Sequence, residues 1–531
     1  MTTTPLHIEA TLDRSARFDA THLMPWLVGA MVLAAGMMLV DSLPVGVVHD
    51  DGMYVILAKS LATGHGFRWL HVPGAPPATH YPPGYPAVLA LLWWLFPGFP
   101  ANVLVFKMAN AVFSGVAAAG TARFAHRRLG MSASGAAAFS LVALLGIPTL
   151  TLSVIVMSEP LFLALLLPTL LLAERIAHDA PSGVKRRDIV LLGALCGVAT
   201  LVRTHGIALI AAAPLVLALR RRSRDAVLCA AVAVAVILPW QLWVSSHSGV
   251  FPMPMRGGYE SYGAWLIAGV REEGIGLLAR TAARTSAELA MMFATLIAPS
   301  IHNALRYVAL LMLAALAIAG VRSLWRLAPV SLLFLAFYAA IVIVWPFTPA
   351  RFAWGVWPLV IALPVLGARD LLGWRPTLPA LRMLRMSALA GAACVALGYA
   401  TYTLRGYRGQ WWQSIPRAGA ANLRPLVFWA ARQTAPTDLL AVEAESAVYL
   451  YTGRQTVPVH TFTVQQYFHP RSPSENAAVI RAILATYPVT AVAVSTAAMR
   501  AAARELATSH PPALAVRDTF PGGIVLTPTP R

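Results

Sequence analysis

From residue 24 to residue 402 the chain is a succession of long apolar runs, separated by short loops that carry arginine. A membrane helix needs about 20 mostly apolar residues, and inside lipid a helix is the segment that satisfies its own backbone hydrogen bonds. That pattern points to a polytopic α-helical membrane protein. The composition agrees: 12% of the residues are charged, where a soluble protein keeps about a quarter, and the mean hydropathy is +0.66. The formal net charge of +19 comes largely from arginines grouped in the short loops. Such grouping marks cytoplasmic loops, so no nucleic-acid partner is expected.

The arginine loops set the path. The polar N-terminus, 1–23 with Arg14 and Arg17, is expected in the cytoplasm, and the run 25–40 has no good cleavage site after it, so it reads as a retained signal anchor. The first helix, about 24–41, then crosses outward and opens an outer loop over 42–100. The apolar piece 84–96 is too short to span and reads as an interfacial or re-entrant helix. Were it a span, the basic loop RFAHRRLG (123–130) would lie outside. Further spans are expected at about 101–122, 132–149, 154–173, 189–203, 205–219, 226–245, 304–320, 328–346, 352–368 and 386–402. The total is about eleven, and the outer segment 246–303 has room for a surface helix.

From 403 the apolar runs shorten and Arg, Gln, Pro and Thr become frequent. Strands are expected at 438–444 and 489–495, and a turn with a last strand within 520–528. Ser472 and Glu475 are spaced as a capping box, with Pro473 at the first helical position, so 472–487 reads as a helix. Residues 403–531 thus form a small α/β domain outside the membrane, after a transmembrane module over 24–402. No repeat of fixed period is visible. Cys196, Cys229 and Cys394 each lie in an apolar run without metal-site spacing and read as buried thiols. Trp93–Trp94 and Trp411–Trp412 read as aromatic-belt anchors.

On this path the polar residues gather on one side. Asp50 and Asp51 follow the first span, His80 and Tyr81 precede the short helix, and Glu159 opens a span. Arg203 and His205 mark one outer turn and Arg351 another. Ionisable groups at membrane depth are costly and are functional candidates by default. Carboxylates beside arginines suit a reaction on a phosphate-bearing lipid: arginine holds the phosphate and a carboxylate takes the proton of an attacking hydroxyl. No P-loop, GxSxG or HExxH is present, which leaves nucleotide hydrolysis, serine hydrolysis and zincin chemistry without support. Plainer roles exist for each residue. One of the two aspartates caps a helix, Glu159 sits on a helix dipole, and the arginines snorkel to the interface. Lys59 reads as solvated, and His49, His65, His71 and His80 share a loop without the spacing of a metal site.

In these residues the chain resembles the multispanning GT-C glycosyltransferases that use polyprenyl-phosphate sugars, among them protein O-mannosyltransferases and lipid A aminoarabinose transferases. The resemblance rests on Asp50–Asp51–Gly52–Met53–Tyr54 with A-x-S-L-x-x-G-x-G-F ending at Phe67. It continues through Tyr-Pro-Pro-Gly-Tyr-Pro (81–86), Ser-Glu-Pro-Leu-Phe (158–162), Leu-Val-Arg-Thr-His-Gly (201–206) and the Arg351 turn, covering about 24–370. The family usually carries Asp-Glu at the first motif, with the Asp as base. Asp50 therefore matches the base, Asp51 replaces the Glu, and the choice between them stays open. Glu159 matches the second acidic position. The resemblance implies transfer of a sugar from a polyprenyl-phosphate donor to a lipid, glycan or protein acceptor, usually with inversion, at the outer face of the cytoplasmic membrane. Catalysis is then expected from Asp50, Asp51 and Glu159, and substrate binding from His80, Tyr81, Arg203, His205 and Arg351. A divalent cation stays open and no other cofactor is implied; the membrane lipids are the remaining partner. The alternative is a transporter or flippase of lipid-linked saccharides, which would place its ionisable groups near the midplane of repeated halves.

Overall fold

The computed structural model describes residues 20–178, 183–299, 303–460 and 462–529. Arg14, Arg17 and most of the expected cytoplasmic N-terminus lie outside the described residues. Every expected span falls on helix. Six helices are long and apolar enough to cross a membrane: His22–Leu39, Asn102–Arg127, Glu159–His178, Ser223–Ser246, Leu305–Leu327 and Pro379–Gly409. The pair Ala133–Leu144 and Ile147–Ser153, bent by 63°, makes a seventh if it is one span. The other expected spans fall on Arg186–Val202, Ile207–Leu219, Pro329–Ile343 and Trp357–Gly373. At 1.5 Å per residue these are about 20–25 Å long, short of the roughly 30 Å hydrocarbon core. They meet at polar turns, and those turns carry the candidate residues Arg203, His205 and Arg351. The protein is a multi-pass helical membrane protein.

The short apolar piece is helix Gly84–Leu95, of 12 residues. Tyr85, Leu89 and Trp93 face inward, while Leu91 and Trp94 are exposed. The tryptophan pairs are therefore split rather than jointly anchoring at an interface. Trp93 is buried and stacks on Phe99 with centroids 5.8 Å apart, and Trp412 is buried against Tyr407. Cys196 and Cys229 are buried, but Cys394 is exposed on the long helix Pro379–Gly409. That apolar run presents its side chains outward, so apolar sequence there means lipid contact rather than burial in protein.

The domain boundary expected at 402/403 falls inside the same helix, which continues to Gly409. A helix at Ser414–Gln433 follows, and then a five-stranded sheet. Its strands are β1 (Leu439–Val442), β2 (Gln455–Pro458), β3 (Ala491–Val494), β4 (Leu514–Phe520) and β5 (Gly523–Pro528), in the order β2-β1-β3-β5-β4. β1 is parallel to β2 and β3, while β5 is antiparallel to β3 and β4. β1 and β3 are wholly buried, as parallel strands covered on both faces must be. Helix Pro473–Thr486 opens on the reciprocal Ser472–Glu475 box.

The sheet unit is fastened to the first long loop. Helix Glu445–Thr452 lies on it so closely that a Cβ on Gly46 would meet that of Ala447 at 2.6 Å, and Gly46 also needs its φ of +84°. Thr456 N–H donates to His71 O at 2.8 Å and Val45 N–H to the Tyr451 hydroxyl at 3.1 Å. This docking brings the start of the Glu445 helix to the polar end of the membrane helices.

Candidate active site

The site begins with a turn. His49 has φ 65° and ψ −68°, and Asp50 N–H closes back on Val48 O at 2.9 Å. This is a γ-turn of the strained hand, rare for any residue and rarer for one with a side chain. It starts helix Asp50–Ala62 abruptly and sends the two aspartates apart. Asp51 turns inward, where its carboxylate accepts the N–H groups of Gly46 (3.0 Å), Val48 (3.1 Å) and Gly52 (2.9 Å). Burial raises its pKa, and those three bonds only partly offset it. Asp51 ties the loop together and does not line the cavity beside it.

Asp50 faces that cavity. Its Oδ1 accepts the Tyr81 hydroxyl at 2.5 Å and its Oδ2 accepts Arg351 Nη1 at 2.5 Å. Burial works against its charge, but Arg351, His49 and Tyr81 together outweigh burial and hold the carboxyl down at about 2. Arg351 also donates through Nε to Glu159 Oε1 at 2.5 Å. The same oxygen lies 2.7 Å from Arg203 Nη1, which reaches Ser158 Oγ at 3.0 Å. One continuous chain, Tyr81–Asp50–Arg351–Glu159–Arg203, thus joins residues from five separate segments. Two carboxylates meet two guanidiniums, so the group carries no net charge.

Exposure divides this chain. The Glu159 and Arg203 side chains are 0% and 6% exposed, those of Asp50 and Arg351 21% and 28%. The inner pair supports and the outer pair is accessible. Helix Arg186–Val202 ends just before Arg203, and the chain turns back through Gly206, where a Cβ would lie 2.7 Å from the Ala199 carbonyl carbon. That close return aims Arg203 inward.

The cavity encloses about 580 Å³. Of the residues singled out in the sequence, Asp50, His80, Tyr81, Arg203, His205 and Arg351 line it; Glu159 stands behind Arg351. His80 Nδ1 donates to Glu260 O at 2.6 Å and its ring lies 4.1 Å from that of Tyr262. Burial drives its pKa to about 4 despite the Glu260 carbonyl and the Asp50 charge, so its imidazole is neutral near pH 7. Of the four histidines of the loop, His49 and His80 line the cavity and the other two do not. His71 pairs with the Tyr259 hydroxyl at 2.8 Å, His65 with Thr63 at the surface, and His49 lies 3.7 Å from Glu445. Lys59 is not simply solvated: its ammonium sits 4.7 Å above the Tyr449 ring.

One flank of the cavity is apolar, with Ile207, Ile341, Trp345, Phe347 and Phe352. The sheet unit also lines the cavity, through Glu443, Glu445 and His460, and through Phe462, whose ring lies 4.8 Å from that of Phe347. Glu443 is occupied just ahead of helix Ala497–Thr508, accepting from Ser495 and from Thr496, the residue that caps that helix. Glu445 is 3% exposed and accepts the Tyr259 hydroxyl at 3.3 Å, while His460 Nδ1 has no partner among the described residues. Nothing local in the sequence marks these residues as functional, because only tertiary docking brings them here. The donor set does not fit a divalent cation. Both carboxylates at the centre are already matched by guanidiniums, and the described residues hold no cluster of three or more potential metal ligands.

Compared in three dimensions, the chain is similar to ArnT from Cupriavidus metallidurans, solved bound to undecaprenyl phosphate. The TM-score is 0.52 at 15% identity, over 96% of this chain and 98% of that one. It also matches the oligosaccharyltransferase of Archaeoglobus fulgidus in complex with Zn and sulfate, with a TM-score of 0.47 at 12% identity, over 88% and 68%. No protein-family model and no curated protein sequence matches. The chain therefore has the ArnT-like fold along nearly its whole length: a multi-pass helical module bearing a small C-terminal α/β unit.

Proposed function

We propose that the protein is a membrane glycosyltransferase that moves a sugar from a polyprenyl-phosphate donor to an acceptor hydroxyl, with Asp50 as general base. One observation carries the reading: the accessible Asp50 carboxylate shares the accessible Arg351 guanidinium with Glu159, at the edge of a cavity lined by both apolar and polar side chains. The fold neighbour's structure holds undecaprenyl phosphate, a ligand of the same class.

The geometry supports a sequence of events. An arriving donor phosphate competes with Asp50 for Arg351 Nη1, and its lipid chain leaves along the Ile207–Ile341 flank. Asp50 then loses its strongest partner while burial still opposes its charge, so its affinity for a proton rises once donor is bound. The acceptor oxygen attacks the anomeric carbon as the carbon–phosphate-oxygen bond breaks. Its proton goes to Asp50, and the bonding pair leaves with the polyprenyl phosphate, which Arg351 neutralises. Attack opposite the leaving group inverts the anomeric centre through an oxocarbenium-like transition state. Glu159 holds both guanidiniums in place from behind. Tyr259, Glu445 and the free Nδ1 of His460, which line the same cavity, offer hydrogen bonds to saccharide hydroxyls. The reaction belongs at the outer face of the cytoplasmic membrane, with the α/β unit extracytoplasmic and a lipid, glycan or protein as acceptor.

The test is transfer in vitro from a panel of polyprenyl-phosphate sugars, with a compartment reporter fused to the C-terminus. Transfer by the wild type and its loss in Asp50→Asn are expected, with the reporter outside. Full activity of a correctly inserted Asp50→Asn protein would refute the assignment of the base.

A further inference from the structure

A second cavity, of about 500 Å³, lies at the other end of the same helices. Glu159 starts its helix at the active site and Arg175 lies sixteen residues further on, about 24 Å away along the axis. Arg123, His126 and Arg127 line the second cavity from the end of helix Asn102–Arg127, and Arg175 lines it from helix Glu159–His178. Below them the walls are apolar: Trp26, Val116, Leu171 and Leu195, contributed by four different helices. This is a greasy cleft between helices with guanidiniums at its mouth.

The charges there do not cancel. Arg175 is taken by Asp188 at 3.2 Å, and Glu174 turns inward to Ser331, whose N–H and hydroxyl it accepts at 2.7 and 2.9 Å. Arg128 also lines the cavity and its charge acts on Glu174, which leaves Arg123 and Arg127. They stand four residues apart on one helix face, both exposed, with no carboxylate partner among the described residues. A single arginine at a helix end needs no ligand, since it snorkels and meets the helix dipole. Two unmatched guanidiniums above an apolar cleft are a different case, because the cleft accepts an acyl chain while they accept a phosphate.

We propose that this cleft binds one anionic phospholipid, with its headgroup phosphate between Arg123 and Arg127 and an acyl chain along Trp26, Leu171 and Leu195. The site is separate from the glycosyl-transfer cavity and does not depend on the reaction assigned to it. At the usual contribution of an arginine facing an anionic lipid surface, each is expected to favour anionic over zwitterionic lipid about fivefold, and the pair about 30-fold.

The experiment is native mass spectrometry and thermal unfolding of the full-length protein, with phosphatidylglycerol or phosphatidylcholine supplied. The wild type is expected to retain one phosphatidylglycerol in about 30-fold preference and to melt at a higher temperature with it. Arg123→Gln with Arg127→Gln is expected to lose both effects, and each single variant about fivefold of the preference. Neither arginine makes an ion pair among the described residues, so the variants should melt like the wild type in phosphatidylcholine. Equal retention of the two lipids by the wild type, or undiminished phosphatidylglycerol retention by the double variant, overturns the proposal. Inorganic phosphate that protects as well as the lipid would also overturn it, since the apolar cleft would then contribute nothing.

Discussion

Arg351→Gln tests the central contact most directly. Arg351 lies 2.5 Å from both Asp50 and Glu159. At an effective dielectric near 20 each pair attracts by roughly 7 kcal/mol, but desolvation takes most of that back. What survives at Asp50, held at about 2 instead of its ordinary 3.8, corresponds to roughly 2 kcal/mol in favour of the charged carboxylate. Without Arg351, burial faces only His49 and Tyr81, so the Asp50 pKa rises. The assay is kcat/KM for the polyprenyl-phosphate donor against pH. In the wild type Asp50 is already ionised in the free protein across the usable range, so it contributes no acid limb there. In the variant an acid limb emerges and moves upward in pH. At pH 7 the loss of charge-assisted bonds to the donor phosphate, about 1.5–3 kcal/mol, lowers kcat/KM about 10- to 150-fold. Arg351→Lys keeps the charge, but an ammonium lacks the fork that spans both acids, so it should fall between. An Arg351→Gln protein with the wild-type kcat/KM at pH 7 and no acid limb would refute the reasoning.

Three further outcomes follow from the same geometry. Asp51→Asn should lower the melting temperature, by about 2–3 kcal/mol of stability for the backbone bonds it weakens, while the folded fraction keeps its kcat; Asp50→Asn should lose transfer in its folded fraction too. Thermal unfolding against pH should show the Asp50 contribution, roughly 2 kcal/mol. With its folded pKa depressed, that stability is complete above the ordinary carboxylate value and disappears as pH falls towards about 2, and the loss should be missing in Asp50→Asn. Glu445→Gln and His460→Ala, on the wall from the sheet unit, should raise KM for a saccharide substrate without shifting the pH profile; unchanged KM in both would remove that wall from recognition.

Much of this arrangement was legible because membrane helices and their polar exceptions are local features. Apolar length placed every expected span on helix, and the capping box at Ser472 and Glu475 gave one helix start to the residue. Polar residues at helix ends brought out Asp50, Tyr81, Arg203 and Arg351, because an ion at membrane depth stands out against apolar neighbours. The roles of the two aspartates were not legible. Their separation depends on the positive φ of His49, a backbone choice that no side-chain pattern announces. β4 was missed for another reason: its middle five residues are exposed at a sheet edge, so it carries no run of buried positions. Glu445 and His460 were invisible because their position depends on how the sheet unit docks. Trp93 and Cys394 went opposite ways from expectation, since an apolar pattern cannot distinguish a neighbouring helix from a lipid tail.

The neutrality of the central group has a consequence for the proposed transfer from a polyprenyl-phosphate donor. A polyprenyl-phosphate sugar is a phosphodiester with one negative charge, whereas the released polyprenyl phosphate is a monoester that approaches two. Before reaction Asp50 and Glu159 balance Arg351 and Arg203. When Asp50 takes the acceptor's proton the group becomes singly positive, at the moment the leaving group gains its second negative charge. In the proposed reaction the base would therefore stabilise the departing phosphate as well as the attacking oxygen, an interaction stronger in the transition state than with bound donor. Asp50→Asn imitates the protonated state permanently and frees Arg351 Nη1. It should bind polyprenyl phosphate more tightly than the wild type while failing to transfer sugar, by roughly 2 kcal/mol, or about 30-fold in Kd. Calorimetric titration of the two proteins with polyprenyl phosphate measures this directly. Weaker binding by Asp50→Asn would mean that the carboxylate contacts the lipid phosphate through a bridging group instead of competing with it for Arg351, and the account of charge balance would fail.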